Sequence, residues 1–130
     1  MARIIKMKDV VAGLGEIGEP ILKLLSRRTK TLGYDVNPKL TKQKNIKELE
    51  KTPTRFLHIC IPFTEHFIKN VINLNKKFKP QGIIIHSTIQ PGTTKKIQEK
   101  LPIPIIYSAT RGVHKRMVRD LQRYTKFYAL

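Results

Sequence analysis

At 130 residues, 40% of them hydrophobic, the chain has the size of one globular domain and is short for an enzyme with a separate substrate domain. It lacks a run of 18 apolar residues for a membrane-spanning helix, and its single cysteine excludes an internal disulfide, which points to a reducing cytoplasm. The net charge of +17 implies attraction to polyanions, but there is no stacking-aromatic motif of the RNA-binding kind, so a solvated lysine-rich surface is preferred over nucleic acid as its explanation.

Residues 1–7 read as a basic extension whose apolar part is too short for a signal-peptide core. Residues 9–12 predict a first buried strand. It runs directly into Gly13-Leu14-Gly15-Glu16-Ile17-Gly18. A glycine at the first position permits a tight turn, at the second a close approach of backbone to a phosphate, and at the third close packing of the following helix. That helix carries Ile17, Ile21, Leu24 and Leu25 on one stripe, and its first-turn amides, those of Glu16 and Ile17 included, face the anion. A second strand over 31–34 ends at Asp35, 22 residues after Gly13. A carboxylate there accepts hydrogen bonds from ribose hydroxyls and repels a 2′-phosphate, which selects NAD over NADP.

Residues 38–52 are polar and support at most a short or frayed helix. A third strand is predicted over 56–61. It is followed by a helix with Phe67, Ile68, Val71, Ile72 and Leu74 on its apolar stripe and Thr64 as its cap. A fourth strand over 82–86 precedes Pro91-Gly92-Thr93-Thr94, which starts a short helix with Ile97 and Leu101 inward. A fifth strand spans 103–107. Val113, Met117, Leu121 and Tyr124 mark a last helix, and residues 127–130 a sixth strand. The basic pairs Arg27-Arg28, Lys76-Lys77 and Lys95-Lys96 are expected at helix ends. This alternation predicts an α/β fold: a Rossmann-type, doubly wound parallel sheet of about six strands with helices on both faces, in one domain spanning 1–130. Ligands of such sheets bind beyond the carboxyl ends of the strands, which selects Gly13–Gly18, Asp35–Asn37, Ile61–Thr64, Ser87-Thr88 and Ser108–Arg111.

Four segments carry a resemblance to a known family. They are Gly13-Leu14-Gly15-Glu16-Ile17-Gly18-Glu19-Pro20, Tyr34-Asp35-Val36-Asn37-Pro38, Ile59-Cys60-Ile61-Pro62 and His86-Ser87-Thr88-Ile89-Gln90-Pro91-Gly92-Thr93-Thr94. Together they resemble the NAD-binding domain of the UDP-glucose/GDP-mannose 6-dehydrogenases. The resemblance implies that Asp35 takes the adenosine ribose and that Asn37 or Lys39 helps at the adenine side. It further implies that Pro62 and Thr64 line the cofactor channel and that Thr88 lies near the nicotinamide ribose. The chain departs from the family after the fifth strand. A Pro-Glu pair is replaced by Tyr107-Ser108-Ala109-Thr110-Arg111-Gly112-Val113-His114, which has no carboxylate. The family's central helix and substrate domain, with their catalytic cysteine and lysine, have no counterpart.

Arg111 and His114 are the only weak catalytic candidates. They read either as an anion clamp and a proton-transfer group, or as a capping arginine and a surface histidine, with the second reading slightly preferred. Arg116, Arg119 and Arg123 share one helical face. Cys60 sits inside a strand and reads as inert core. His58 points to the same side as Cys60, but two ligands do not make a metal site. Ser87 has no base and no nucleophile-elbow spacing. The expectation is an NAD-binding domain of an oxidoreductase system whose substrate platform comes from a dimer mate or a separate subunit. The alternatives are a non-enzymatic NAD-binding accessory or sensor module, and a polyanion-binding protein on the same scaffold.

Overall fold

A computed structural model describes residues 6–108. Its five strands are β1 (Lys8–Ala12), β2 (Thr31–Tyr34), β3 (Thr54–Ile59), β4 (Gly82–Ile85) and β5 (Ile105–Tyr107). The helices between them are α1 (Gly18–Leu25), α2 (Ile46–Lys51), α3 (Phe67–Phe78) and α4 (Thr93–Lys100), with a 3-10 turn at Gln43–Asn45 ahead of α2. All strand pairs are parallel, and the order across the sheet is β2-β1-β3-β4-β5. The chain therefore winds one way from β1 to β2 and the other way from β3 onward. The switch point falls between β1 and β3, where sheets of this order hold their ligands. No further strand lies outside β2 among the described residues. The expected sixth strand and the last helix fall outside the described residues.

Winding in both directions clothes both faces. On one face α1 packs Ile21 and Leu24 against Val11, Leu14 and Cys60. The larger core lies on the other face. There Leu49 of α2, Phe67, Val71, Leu74 and Phe78 of α3, and Ile97 of α4 cover Val10, Leu57, Ile59, Ile83 and Ile85. Alternation along β3 and β4 sends Leu57, Ile59, Ile83 and Ile85 to this core. It sends His58 and Cys60 to the side of α1.

Several expected boundaries shift for identifiable reasons. Lys8 belongs to β1 and is buried, with its ammonium donating to the Thr52 carbonyl and, at 3.1 Å, to the Thr54 hydroxyl. Burial pushes its pKa down, and the nearby Glu48 carboxylate pulls it partly back. β3 begins at Thr54 rather than at residue 56 because its polar start is satisfied by β1. The buried Asp9 carboxylate accepts from Arg55 Nε at 3.1 Å, Arg55 Nη2 at 2.8 Å and the Phe56 amide at 3.2 Å. Thr64 does not cap α3. Its hydroxyl accepts from the His66 amide at 3.2 Å, which closes a turn before the helix begins at Phe67. Lys95-Lys96 lie in the first half of α4 rather than at its end.

Asp9→Ala is expected to destabilise the fold by about 1–3 kcal/mol in urea unfolding, because it leaves the Phe56 amide and half of the Arg55 guanidinium without an acceptor. A loss below about 0.5 kcal/mol would show that solvent satisfies those donors equally well.

Candidate functional site

The glycine turn is held from three sides. Gly13 has φ +96°, in the left-handed region that favours glycine, and its amide donates to the Tyr34 carbonyl at 2.8 Å. A methyl group on Gly13 would lie 2.8 Å from the Cys60 carbonyl, so the chain just past the end of β3 runs hard against the turn. A methyl on Gly18 would lie 1.6 Å from the Gly13 carbonyl oxygen, so the start of α1 folds back onto the turn itself. Gly15 differs from both: a side-chain carbon there would meet nothing within 4 Å. The first backbone bond of the helical stretch runs from the Glu19 amide to the Gly15 carbonyl at 3.1 Å. Amides in the turn before it, those of Glu16 and Ile17 included, have no acceptor within the helix and lie at its positive end. The Glu16 side chain is exposed, and that of Ile17 packs toward the α1 core.

Asp35 stands against this turn. Its Oδ2 accepts from the Leu14 amide at 2.8 Å and its Oδ1 from the Asn37 amide at 2.9 Å. Thr41 braces the same residue, its hydroxyl accepting from the Asp35 amide at 2.9 Å and donating to the Asp35 carbonyl at 3.0 Å. The carboxylate is thus fixed between the end of β2 and the turn after β1. A carboxylate offers about four acceptor sites, and these bonds use two.

A cleft of about 440 Å³ opens beside it, at the carboxyl ends of β1, β2 and β3. Gly13, Asp35, Ile61, Pro62 and Thr64 all line it. Its far wall is one stripe of α3, made of Asn70, Asn73, Leu74 and Lys77. Sequence reasoning missed this wall, together with Tyr34, while Val36 falls within the expected 35–37 turn. The spacing of three, one and three residues was the available signal. Lys77 Nζ lies 5.1 Å over the Tyr34 ring, which packs edge-on against Phe78 at 5.2 Å. A second hollow of about 460 Å³ shares Tyr34, Asp35, Val36 and Lys77 and continues toward Ile46 and Leu49.

The remaining expected residues lie apart from the cleft wall. Asn37 Oδ1 accepts from the Lys39 amide at 3.1 Å, so this side chain shapes its own turn, while the Lys39 side chain is exposed. Ser87 is buried and donates its hydroxyl to the Ile61 carbonyl at 2.5 Å, tying β4 to the end of β3. Thr88 is exposed just beyond it. Arg111 and His114 lie outside the described residues.

Behind the site, on the α1 side of the sheet, His58 Nδ1 and His86 Nε2 are 2.9 Å apart, with their rings stacked at 5.1 Å. Both are buried. Burial, with a smaller contribution from Arg55, pushes His58 down to about 4. Burial and then the neighbouring His58 push His86 well below its ordinary value. Burial also pushes the Cys60 thiol up, so it stays protonated and unreactive. No group of three or more histidine, cysteine or acidic side chains suited to a metal occurs among the described residues. No helix among them is long and apolar enough to cross a membrane.

Comparison with protein-family models finds no match, nor does comparison with curated proteins. The likeness to nucleotide-sugar dehydrogenases therefore rests on the four segments alone. Among solved structures, the chain is similar to a D-isomer specific 2-hydroxyacid dehydrogenase family protein from Klebsiella pneumoniae 342, at 14% identity and a TM-score of 0.46. That match covers 98% of this chain and 53% of the other, so the chain spans about half the length of that structure.

Proposed function

We propose that this chain is a dinucleotide-binding domain whose ligand is NAD. One observation carries the reading: the Asp35 carboxylate is held 2.8 Å from the Leu14 amide of the glycine turn, at the mouth of an open cleft. The two acceptor sites left on that carboxylate suit the vicinal hydroxyls of an adenosine ribose, and its charge disfavours a 2′-phosphate. The open side of Gly15 leaves room for a diphosphate against the first-turn amides of α1. Tyr34, Val36, Ile61 and Pro62 offer the apolar surfaces that a purine ring needs. When bound, the nicotinamide supplies hydride transfer. The chain's own residues bind and orient the cofactor, and none of the described residues is assigned a proton-transfer role. The four sequence segments support the finer reading of a cofactor domain of nucleotide-sugar 6-dehydrogenase type, with its substrate platform on a partner chain or dimer mate.

Calorimetric titration with NAD⁺ and NADH tests the binding. Saturable heat below millimolar cofactor is expected, and none at millimolar concentration rejects the proposal. Asp35→Ala is expected to weaken NAD about tenfold or more and to narrow the preference over NADP, since a lost charge-assisted hydrogen bond costs about 1.5–3 kcal/mol. An unchanged preference removes Asp35 from this role.

A further inference from the structure

Apart from Lys77, the positive charge of the described residues lies away from the lining of the cofactor cleft, and the topology sorts some of it onto one edge. Helices between parallel strands return the chain to the amino-terminal edge of the sheet, so every helix-to-strand turn arrives there. Backbone bonds tie these turns side by side. The Asp9 amide donates to the Lys30 carbonyl, the Lys8 amide to Pro53, the Gln81 amide to Arg55 and the Ile83 amide to Pro104. Each of the five strands is approached through at least one exposed cation. These are Arg27 and Arg28 before β2, Lys6 before β1, Lys51 before β3, Lys79 before β4 and Lys100 before β5.

Two acidic groups at this edge are already engaged. Asp9 is paired with Arg55 at 2.8 Å, and Glu48 with Lys30 at 2.6 Å. Glu50 and Glu99 are the other carboxylates on the helix halves that reach it, while Glu19 lies in the first turn of α1 at the opposite end, against the six exposed cations. Compensation of helix dipoles explains one cation per helix end. It does not explain the Arg27-Arg28 pair, nor Lys6, which follows no described helix. Nor does it explain Lys79, whose φ of +46° places a lysine where helices ordinarily end in glycine. Five strands about 4.8 Å apart make a row roughly 20 Å long, which spans about six phosphates of one strand of a duplex at roughly 3.4 Å each. The exposed large apolar side chains among the described residues are Val36, Leu40, Ile46, Phe63, Ile106 and Tyr107, and none lies in these turns. A surface built to enter a lipid interface needs such side chains, and a phosphate-binding surface does not.

We propose that the amino-terminal edge of the sheet is a docking surface for the phosphate backbone of duplex nucleic acid, bound without sequence preference on the side opposite the cofactor cleft. The test uses the full chain and a fluorescent DNA duplex of about 20 base pairs, with affinity followed against NaCl. Neutralising four or five phosphates gives a slope of about −4 in log affinity against log salt. The R27E/R28E/K79E/K100E variant is expected to lose at least about tenfold in affinity at 0.1 M salt and to flatten the slope by about 3. K42E/K69E/K95E/K96E carries the same change in formal charge on the other half of the molecule and is expected to stay within about threefold. Thermal melts establish that each variant is folded, and the pairs R27E/R28E and K79E/K100E made separately keep the test open if the quadruple variant is not. Equal losses in both quadruple variants would reduce the effect to bulk charge and overturn the assignment. So would an absence of binding at low salt, or equal affinity for polyglutamate.

Discussion

Gly18→Ala is expected to lower the unfolding free energy by about 3–5 kcal/mol, near the upper end for a single substitution. In an ordinary helix the same change gains about 1 kcal/mol, so the sign itself is diagnostic. The reason is local: the added carbon would sit 1.6 Å from the Gly13 carbonyl oxygen and 3.3 Å from Cys60 Cβ. Neither neighbour can retreat easily. Gly13 is fixed by its bond to Tyr34 and by its contact with the Cys60 backbone. Gly15→Ala is expected to do the reverse, leaving stability within about 1 kcal/mol while weakening NAD at least about tenfold, since its methyl enters open space on the face assigned to the diphosphate. Urea midpoints and calorimetry on the two variants separate the roles. A Gly18→Ala protein as stable as the parent would mean that α1 does not pack on the turn as described.

Acidification is expected to be the second large effect. A histidine held at about 4 when folded, against about 6.5 when unfolded, takes up its proton more readily in the unfolded chain. Its contribution is therefore fully present above pH 6.5 and is lost as pH falls from 6.5 toward 4. For His58 the loss across that window amounts to about 3 kcal/mol. His86 shifts in the same direction and steepens the loss. Charging either ring would also place a cation 2.9 Å from its neighbour in a buried layer. Urea unfolding followed between pH 7.5 and pH 4 measures the slope. His58→Leu/His86→Leu is expected to flatten it, and His58→Leu alone to reduce it if the double variant does not fold. A parent protein whose stability is constant over that window would contradict a buried, neutral pair.

The strand–helix alternation was legible because buried parallel strands read as unbroken apolar runs, and β1, β2 and β4 fall within one residue of expectation at each end. The errors at the starts of β1 and β3 came from polar residues satisfied at a distance, while β3 also ends two residues early and β5 starts two residues late. Lys8 and Asp9 start β1, and Thr54 and Arg55 start β3, because they bond to one another across the sheet rather than to water. Nothing local in the sequence announces such pairing. The turn and Asp35 were legible because glycine positions and a carboxylate at fixed spacing constrain the backbone strongly. The α3 wall was not, since Asn70, Asn73 and Lys77 read as the solvated face of an amphipathic helix until the sheet places Asp35 opposite them. Ser87 shows the converse case. A hydroxyl at the end of a strand looks available in the sequence, yet its proton is spent on the Ile61 carbonyl.

Amide NMR on the isotope-labelled chain during titration with NAD⁺ tests the central claim most directly. Binding at the turn and its carboxylate shifts the resonances of Leu14, Gly15, Glu16, Asp35, Val36 and Thr64 in a saturable way, and leaves those of Arg28, Lys51 and Lys100 unmoved. Resonances at the turn that stay still at millimolar NAD⁺, or shifts confined to residues away from the cleft, would contradict it.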